Sequence, residues 1–434
     1  MEKKKGYTSI SLSKYIPLIS VGTLIEWYDL FVVGIAASLI WPLLYYPTTS
    51  SAAALAASIA TYGSVFFTRP IGAVIFGHFG DRIGRKTMLI WTLVITAVGM
   101  GGMALTPTYS TIGILAPLSI LIFRLIQGIG LGGEYGGAAT ILVEYLVDSK
   151  KRGYYSSFLQ STVPLGVFFA ILGLLLTRTY MSHEVFINIG WRILIGAGAI
   201  ALIIGGIVRY ILMESPLFQQ LIEKGEVERS PSAKAFKKEW KTMILLAFSW
   251  AYIVTIFAII FFPTGLSYMT SLRIPQTTIY TALFAGAVAG FLATIIGGYV
   301  SDIFGRKTVL WTSGVLTIIA SYLYFALVST KDPMYIIIAN SFLNFSYFLG
   351  YGAVAVFFTE QFLTKYRYTA AGFSYQLAAI ITGVYTSFLL PIAIVTAHGL
   401  LNANLYLFLM ALSLCIFSII SIIPLKETKG VKID

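Results

Sequence analysis

Gly77-His78-Phe79-Gly80-Asp81-Arg82-Ile83-Gly84-Arg85-Lys86 closes one hydrophobic run, and Gly298-Tyr299-Val300-Ser301-Asp302-Ile303-Phe304-Gly305-Arg306-Lys307 closes another 221 residues later. The leading Gly, the Asp, the inner Gly, the Arg and the Lys match in register, and Thr87 and Thr308 follow. A chain that repeats one charged loop between apolar runs reads as a duplicated membrane protein, and such duplication marks secondary transporters. The repeat extends further. Glu144 and Gln160 stand 16 residues apart, as do Glu360 and Gln376, with Arg152 and Arg367 between them.

Hydrophobic residues make up 57% of the chain and charged ones 11%, and the mean hydropathy is +0.84. A soluble domain carries about a quarter charged residues, so most of this chain is not water-exposed. Bilayer spans need roughly 20 apolar residues each. Twelve are expected, at 16–41, 54–77, 87–106, 112–136, 156–177, 190–213, 242–269, 278–300, 308–329, 333–357, 369–396 and 400–424. The polar segment 214–241 divides them six and six. The expected organisation is an N-terminal half at 1–213, a cytoplasmic central loop at 214–241 with an amphipathic helical piece, and a C-terminal half at 242–434. Two such halves enclose a central cavity.

The net charge of +12 could point to nucleic acid, but its distribution points to topology. With both termini cytoplasmic, 23 of the 30 Lys and Arg fall on the cytoplasmic side, among them Lys3 to Lys5, Lys150-Lys151-Arg152, Lys234, Lys237, Lys238 and Lys241. External loops hold only Arg178, Arg273 and Lys331. That bias is the positive-inside rule. The first apolar stretch lacks a small-residue cleavage site and is expected to act as its own insertion signal. One cysteine, Cys415, excludes an intrachain disulfide.

These residues carry a resemblance to the major facilitator superfamily. The loops at 77–86 and 298–307 resemble its signature between spans two and three and the second-half counterpart. Arg124-Leu125-Ile126-Gln127-Gly128-Ile129-Gly130 resembles its fourth-span motif. Arg152-Gly153, Glu214-Ser215-Pro216 and Lys426-Glu427-Thr428-Lys429-Gly430 look like marks of the sugar-porter-related branch. A narrower resemblance is to the metabolite:proton symporters, through Gly22-Thr23, Glu26-Trp27-Tyr28-Asp29, Phe67-Thr68-Arg69-Pro70-Ile71-Gly72, Gly132-Gly133-Glu134, Gly190-Trp191-Arg192 and Tyr366-Arg367-Tyr368-Thr369. Leu194 and Leu363 stand where that group commonly has proline. The resemblance implies an all-α protein of twelve transmembrane helices in two six-helix halves. It implies uptake of a small metabolite with protons.

A charge at mid-bilayer costs at least ~2.5–3.5 kcal/mol on insertion scales, so it marks function. Glu26 and Asp29 are three apart on span one and share a helical face. Arg124 lies mid-way along span four, with Glu134 further on, near the cytoplasmic end. Burial favours the neutral carboxyl and a nearby guanidinium favours the carboxylate, so opening to either side can load or release a proton. The resemblance aligns Asp29 with the first-span proton acceptor of sugar:proton symporters and Arg124 with its partner. The proton-coupling candidates are Asp29, Glu26, Glu134 and Arg124; a static ion pair is the alternative. Arg69, before the kinking Pro70, could bind a substrate carboxylate but is read as structural, paired with a carboxylate or with carbonyls freed by the kink, and Arg192 is read as an interfacial anchor.

In the duplicated loops, glycines permit tight turns and the Asp groups can accept from Arg. The gating candidates are Gly77, Asp81, Gly84, Arg85, Lys86, Glu144 and Arg152 with Gly298, Asp302, Gly305, Arg306, Lys307, Glu360 and Arg367. Candidate substrate contacts are Arg124, Gln127, Gln160, Tyr252, Asn344, Tyr347, Tyr375 and Gln376, each of which could equally be interhelical glue.

An enzyme would need a nucleophile-base pair or a metal cluster, and His78, His183 and His398 are scattered without ligand spacing. No phosphate-binding Gly-x-x-x-x-Gly-Lys-Ser/Thr loop is present, which disfavours direct ATP-driven pumping. A sensor of transporter fold often carries a long cytoplasmic extension, and latched halves suit alternating access better than a channel. The expectation is a proton symporter of the cell membrane, taking up a small carboxylate and working as a monomer without a cofactor. A neutral sugar, or a zwitterion such as proline or betaine, is the alternative cargo, and sodium the alternative ion.

Overall fold

The computed structural model describes residues 12–47, 51–211, 213–261, 264–397 and 400–433; Lys3 to Lys5 and His398 lie outside the described residues. Among the described residues there is no strand. The twelve membrane helices are α1 (Leu12–Leu39), α2 (Val65–Ile83), α3 (Arg85–Leu105), α4 (Leu115–Tyr145), α5 (Arg152–Gln160, resuming as Thr162–Tyr180), α6 (Trp191–Arg209), α7 (Pro231–Ile256), α8 (Gln276–Phe304), α9 (Arg306–Val328), α10 (Pro333–Glu360), α11 (Arg367–Val384) and α12 (Asn404–Ile422). Ten described segments are long and apolar enough to cross a membrane. The other two spans contain α2 and α11, whose sequences bring Arg69, His78, Asp81 and Arg82, or Arg367 and Tyr368, into the helix.

Several boundaries differ from expectation. The central segment holds the expected helical piece at Pro216–Glu223, but α7 begins inside it, at Pro231, eleven residues before position 242. Both helices start with proline at the first helical position, where its missing N–H has no partner to lose. Span two breaks at Ser64 between Ser51–Gly63 and α2. Span seven widens by about one residue per turn at Phe257–Phe261, and Thr264–Ser271 is again α-helical. The α4 helix runs on to Tyr145, so Glu134 lies inside the bundle and not at its cytoplasmic end.

In each set of six, a glycine lets two helices touch along their backbones. A Cβ on Gly132 of α4 would sit 2.0 Å from the Arg69 carbonyl oxygen of α2, and one on Gly352 of α10 would sit 2.0 Å from that of Thr294 on α8. Small residues drive helix association where lipid offers no hydrophobic gradient. Between the sets, α2 and α4 pack on α11, and α5 packs on α8 and α10.

Because no side-chain movement relieves a backbone collision, Gly352→Val should lower the unfolding midpoint in detergent by about 2–10 °C, read by tryptophan fluorescence. An unchanged midpoint would contradict this packing.

Candidate functional site

On the face that carries the repeated loops, two aspartates reach into the opposite half. Asp81, on α2, accepts the backbone N–H groups of Tyr368 (3.2 Å) and Thr369 (2.8 Å) at the start of α11. Asp302, on α8, accepts those of Gly153 (2.9 Å) and Tyr154 (2.8 Å) at the start of α5. The first N–H groups of a helix have no partner within it and carry its positive pole, so a carboxylate is a fitting cap. The close approach needs glycine. A Cβ on Gly77 would meet Thr369 Cα at 2.6 Å, and one on Gly298 would meet Ser157 Cβ at 2.3 Å.

Two glutamates add shared arginines. Glu144 takes Arg85 of its own half at 3.0 Å and Arg367 of the other at 2.8 Å. Glu360 takes Arg306 of its own half at 3.3 Å and Arg152 of the other at 2.7 Å. Gly84 and Gly305 turn the chain at φ 129° and 102°, a region costly for side chains. Beyond them Glu214 accepts the Lys86 N–H at 3.2 Å, and Glu427 accepts those of Arg306 (2.9 Å) and Lys307 (3.0 Å). Those two glutamates were read only as family marks; their role as caps needed the fold. Lys86 lies over the Tyr210 ring, and Lys307 donates to the carbonyls of Ile423 and Leu425. The structure thus brings together all the gating candidates.

Residues 425–433 strap this face. Arg152 donates to the Val431 carbonyl at 2.7 Å, and Ile433 is buried with Val143 of α4, Leu217 of the central link and Val356 of α10.

In the membrane interior, the face shared by Glu26 and Asp29 divides between two partners. Arg124 donates to Asp29 at 3.4 Å, Gln127 bonds both, and the Tyr62 carbonyl and ring hold the guanidinium at 3.2 and 4.9 Å. Glu26 pairs with Arg69, whose Nε also donates to Gln376 of α11 at 2.8 Å. Glu134 pairs with Arg209 of α6 and accepts from Thr92 at 3.0 Å. Sequence reading singled out neither Arg209 as that partner nor the bridging contact of Arg69. An arginine at the end of an apolar span was the available signal for Arg209.

The other polar candidates scatter. Gln160 donates to the Tyr351 carbonyl at 3.2 Å. Tyr252 donates to Ser313 at 2.7 Å, and Asn344 bonds the Asn340 carbonyl and Tyr347; all of these partners lie in the C-terminal helices. Tyr375 stacks between Tyr135 of α4 (centroids 3.3 Å apart) and Trp250 of α7 (3.9 Å), and its hydroxyl lies 2.8 Å from that of Tyr351. Above this stack lies a cavity of about 10 Å³ walled by Trp27, Trp250, Phe257, Tyr347, Phe348 and Tyr351, room for about one water. On its outer side Trp27 and Phe31 meet Phe257 edge-on at 5.7 and 5.4 Å.

Loss of a cross-half charge should open the cytoplasmic side. With Cys415→Ala as background, a cysteine replacing buried Ser157 should be labelled at least about 10-fold faster when Glu144→Gln and Glu360→Gln are combined, a shift of about 1.4 kcal/mol. Ile433→Asp should act in the same direction. Equal labelling would mean the pairs do not hold the halves shut. At Glu427, partial burial pushes the carboxyl up, but the N–H groups of Arg306, Lys429, Lys307 and Thr428 outweigh it and hold its pKa below the usual glutamate range. A lowered folded pKa stabilises above the unfolded value and is lost as pH falls through the folded one. Glu427→Gln should therefore melt earlier than the unsubstituted protein at pH 7, with the gap closing below about pH 4.

The comparisons agree with this architecture. The family model described as Major Facilitator Superfamily matches residues 27–386. The inner membrane metabolite transport protein YhjE of Escherichia coli K12 is 32% identical over 420 residues, 95% of this chain and 94% of that one. The shikimate transporter of the same organism is 31% identical, covering 89% of each chain. A proline/betaine transporter of Salmonella typhimurium is 28% identical, over 96% of this chain and 84% of that one. Among solved structures, the proton:xylose symporter XylE bound to 6-bromo-6-deoxy-D-glucose superposes with a TM-score of 0.78 at 17% identity, covering 98% of both chains. Fold and relatives are those of transporters and not of enzymes. The chain belongs to the Major Facilitator Superfamily, as a multi-pass membrane transporter of small metabolites.

Proposed function

We propose that the protein takes up a small organic metabolite, foremost a carboxylate, together with protons. The rocking bodies are residues 1–213 and 242–434, joined by 214–241 on the cytoplasmic side of the cell membrane, and one chain is sufficient. The observation that carries this reading is the fully buried Asp29, held by Arg124 and Gln127 within a single half. A buried carboxylate of this kind marks a proton or ion pathway. Asp29 carries the proton and Arg124 sets when it is held, because desolvation and the guanidinium act on it in opposite senses. Glu26 and Glu134 are secondary proton sites. The latch around Asp81, Asp302, Glu144 and Glu360 closes the cytoplasmic exit while the cavity faces outward. That a solved structural neighbour is a proton:xylose symporter supports the same coupling.

A second cargo, a zwitterion such as proline or betaine, is favoured by the two tryptophans and four other aromatic rings around the cavity, since ring faces attract a quaternary ammonium.

Purified protein in sealed liposomes with a luminal pH dye tests this reading. Added from outside, shikimate, L-proline, glycine betaine and xylose are compared for luminal acidification. One of the acids or zwitterions should acidify the lumen, and Asp29→Asn should slow this at least about 10-fold. Labelled uptake without acidification would remove the proton role of Asp29. Acidification by xylose alone would overturn the carboxylate.

A further inference from the structure

Three arginines lie buried in the membrane interior, and only one of them bonds across the interface between halves; Arg209 holds Glu134 and the Ile19 and Leu89 carbonyls of its own half. The Arg124 hydrogen bonds go to Asp29, Gln127 and the Tyr62 carbonyl, all in the N-terminal half. Arg69 instead holds Glu26 of α1 with Nη2 and Gln376 of α11 with Nε. Gln376 in turn donates to the Leu131 and Gly132 carbonyls of α4, each at 3.3 Å. A substrate must be gripped by both halves if its binding is to move one against the other. The Arg69 position meets that requirement.

The carboxylate already there is a loose occupant. Arg69 and Glu26 are 4% and 2% exposed at their side chains, and among the described residues Glu26 Oε2 has no hydrogen-bond partner. A buried carboxylate oxygen left unmatched is a costly arrangement. The guanidinium fork suits a carboxylate held by two parallel bonds, whereas the contact in place runs from Nη2 to Oε1 alone. Tyr375, next to Gln376 on α11, has its hydroxyl 2.8 Å from that of Tyr351, a wall of the cavity.

We propose that Arg69 is the anchor for the substrate carboxylate, that Glu26 occupies this anchor in the empty carrier, and that Gln376 completes the site from the opposite half. The assignment rests on the reading of the chain as a carrier of carboxylates. Substrate displaces Glu26, and its apolar or ammonium portion turns to Trp27, Trp250 and Tyr351.

An internal competitor has a signature that a structural ion pair lacks: removing its charge tightens binding. Full-length protein in detergent is titrated by tryptophan fluorescence with shikimate and methyl shikimate, and with glycine betaine and its methyl ester. The unsubstituted protein should bind at least one acid about 100-fold or more tighter than its ester. Glu26→Gln should bind that acid more tightly, by about 10-fold, and keep the preference. Arg69→Gln should lose the preference, and Arg69→Lys should recover part of it, since an ammonium supplies charge without the fork. If Arg69→Gln does not fold, the lysine variant and the opposite effect of Glu26→Gln still decide. Equal losses in Glu26→Gln and Arg69→Lys, or a preference that survives in Arg69→Gln, would make the pair structural and overturn the proposal alone. No preference for either acid in the unsubstituted protein would overturn the carboxylate reading and this site with it.

Discussion

Capping of a helix by a carboxylate from the opposite half is the constraint on which the rest of the structure depends. Asp81 holds the start of α11 and Asp302 the start of α5. Each helix begins with an arginine, Arg367 or Arg152, that a glutamate from across the interface also binds. Asp81, Glu144, Glu360 and the four arginines are buried, with only Asp302 partly exposed, so water competes little for them while the face is shut. Separation leaves charges and backbone donors unmatched unless water enters at once. Closure is therefore a two-state arrangement and not a graded one. Duplication places two such latches on one face, and the strap at 425–433 ties Arg152 to the same event.

The centre has a matching division of labour. Asp29 and Arg124 sit within one half and can keep their contacts as the halves rock. Glu26, Arg69 and Gln376 bridge the halves and must rearrange. The first cluster is suited to holding a proton through the cycle, and the second to sensing whether cargo is present. Between centre and latch, the stack of Tyr135, Tyr375 and Trp250 joins both halves without charge. It seals the cavity floor by ring contact, which costs little to part and re-form.

Much of this was legible in the sequence, and the exceptions have physical reasons. The repeated Gly-Asp-Gly-Arg-Lys loops located the latch because backbone turns and caps leave local signatures. Glu144 and Arg367 were recognisable as repeats of Glu360 and Arg152, but not as partners, because periodicity shows which residues share a helix face and not what lies across from it. Glu134 seemed close to water because the apolar window ends near Gly136, yet α4 continues to Tyr145 with every residue from 130 to 144 buried. Its partner Arg209 comes from the far end of α6, 75 positions away. The start of α7 was missed for a similar reason: Lys234 to Lys241 read as loop by charge, although a helix outside the bilayer tolerates lysines on its exposed side.

The claim that these elements form one switch is tested most directly by the distance across the latch face. Spin labels at Lys150→Cys and Phe304→Cys, with Cys415→Ala, can be followed by pulsed dipolar spectroscopy in liposomes. The account predicts one short distance for the resting protein and a second, longer one when a transported compound and acidic pH are supplied together. It predicts the longer one at rest when Asp81→Asn and Asp302→Asn are combined. A single distance under all these conditions would contradict the switch.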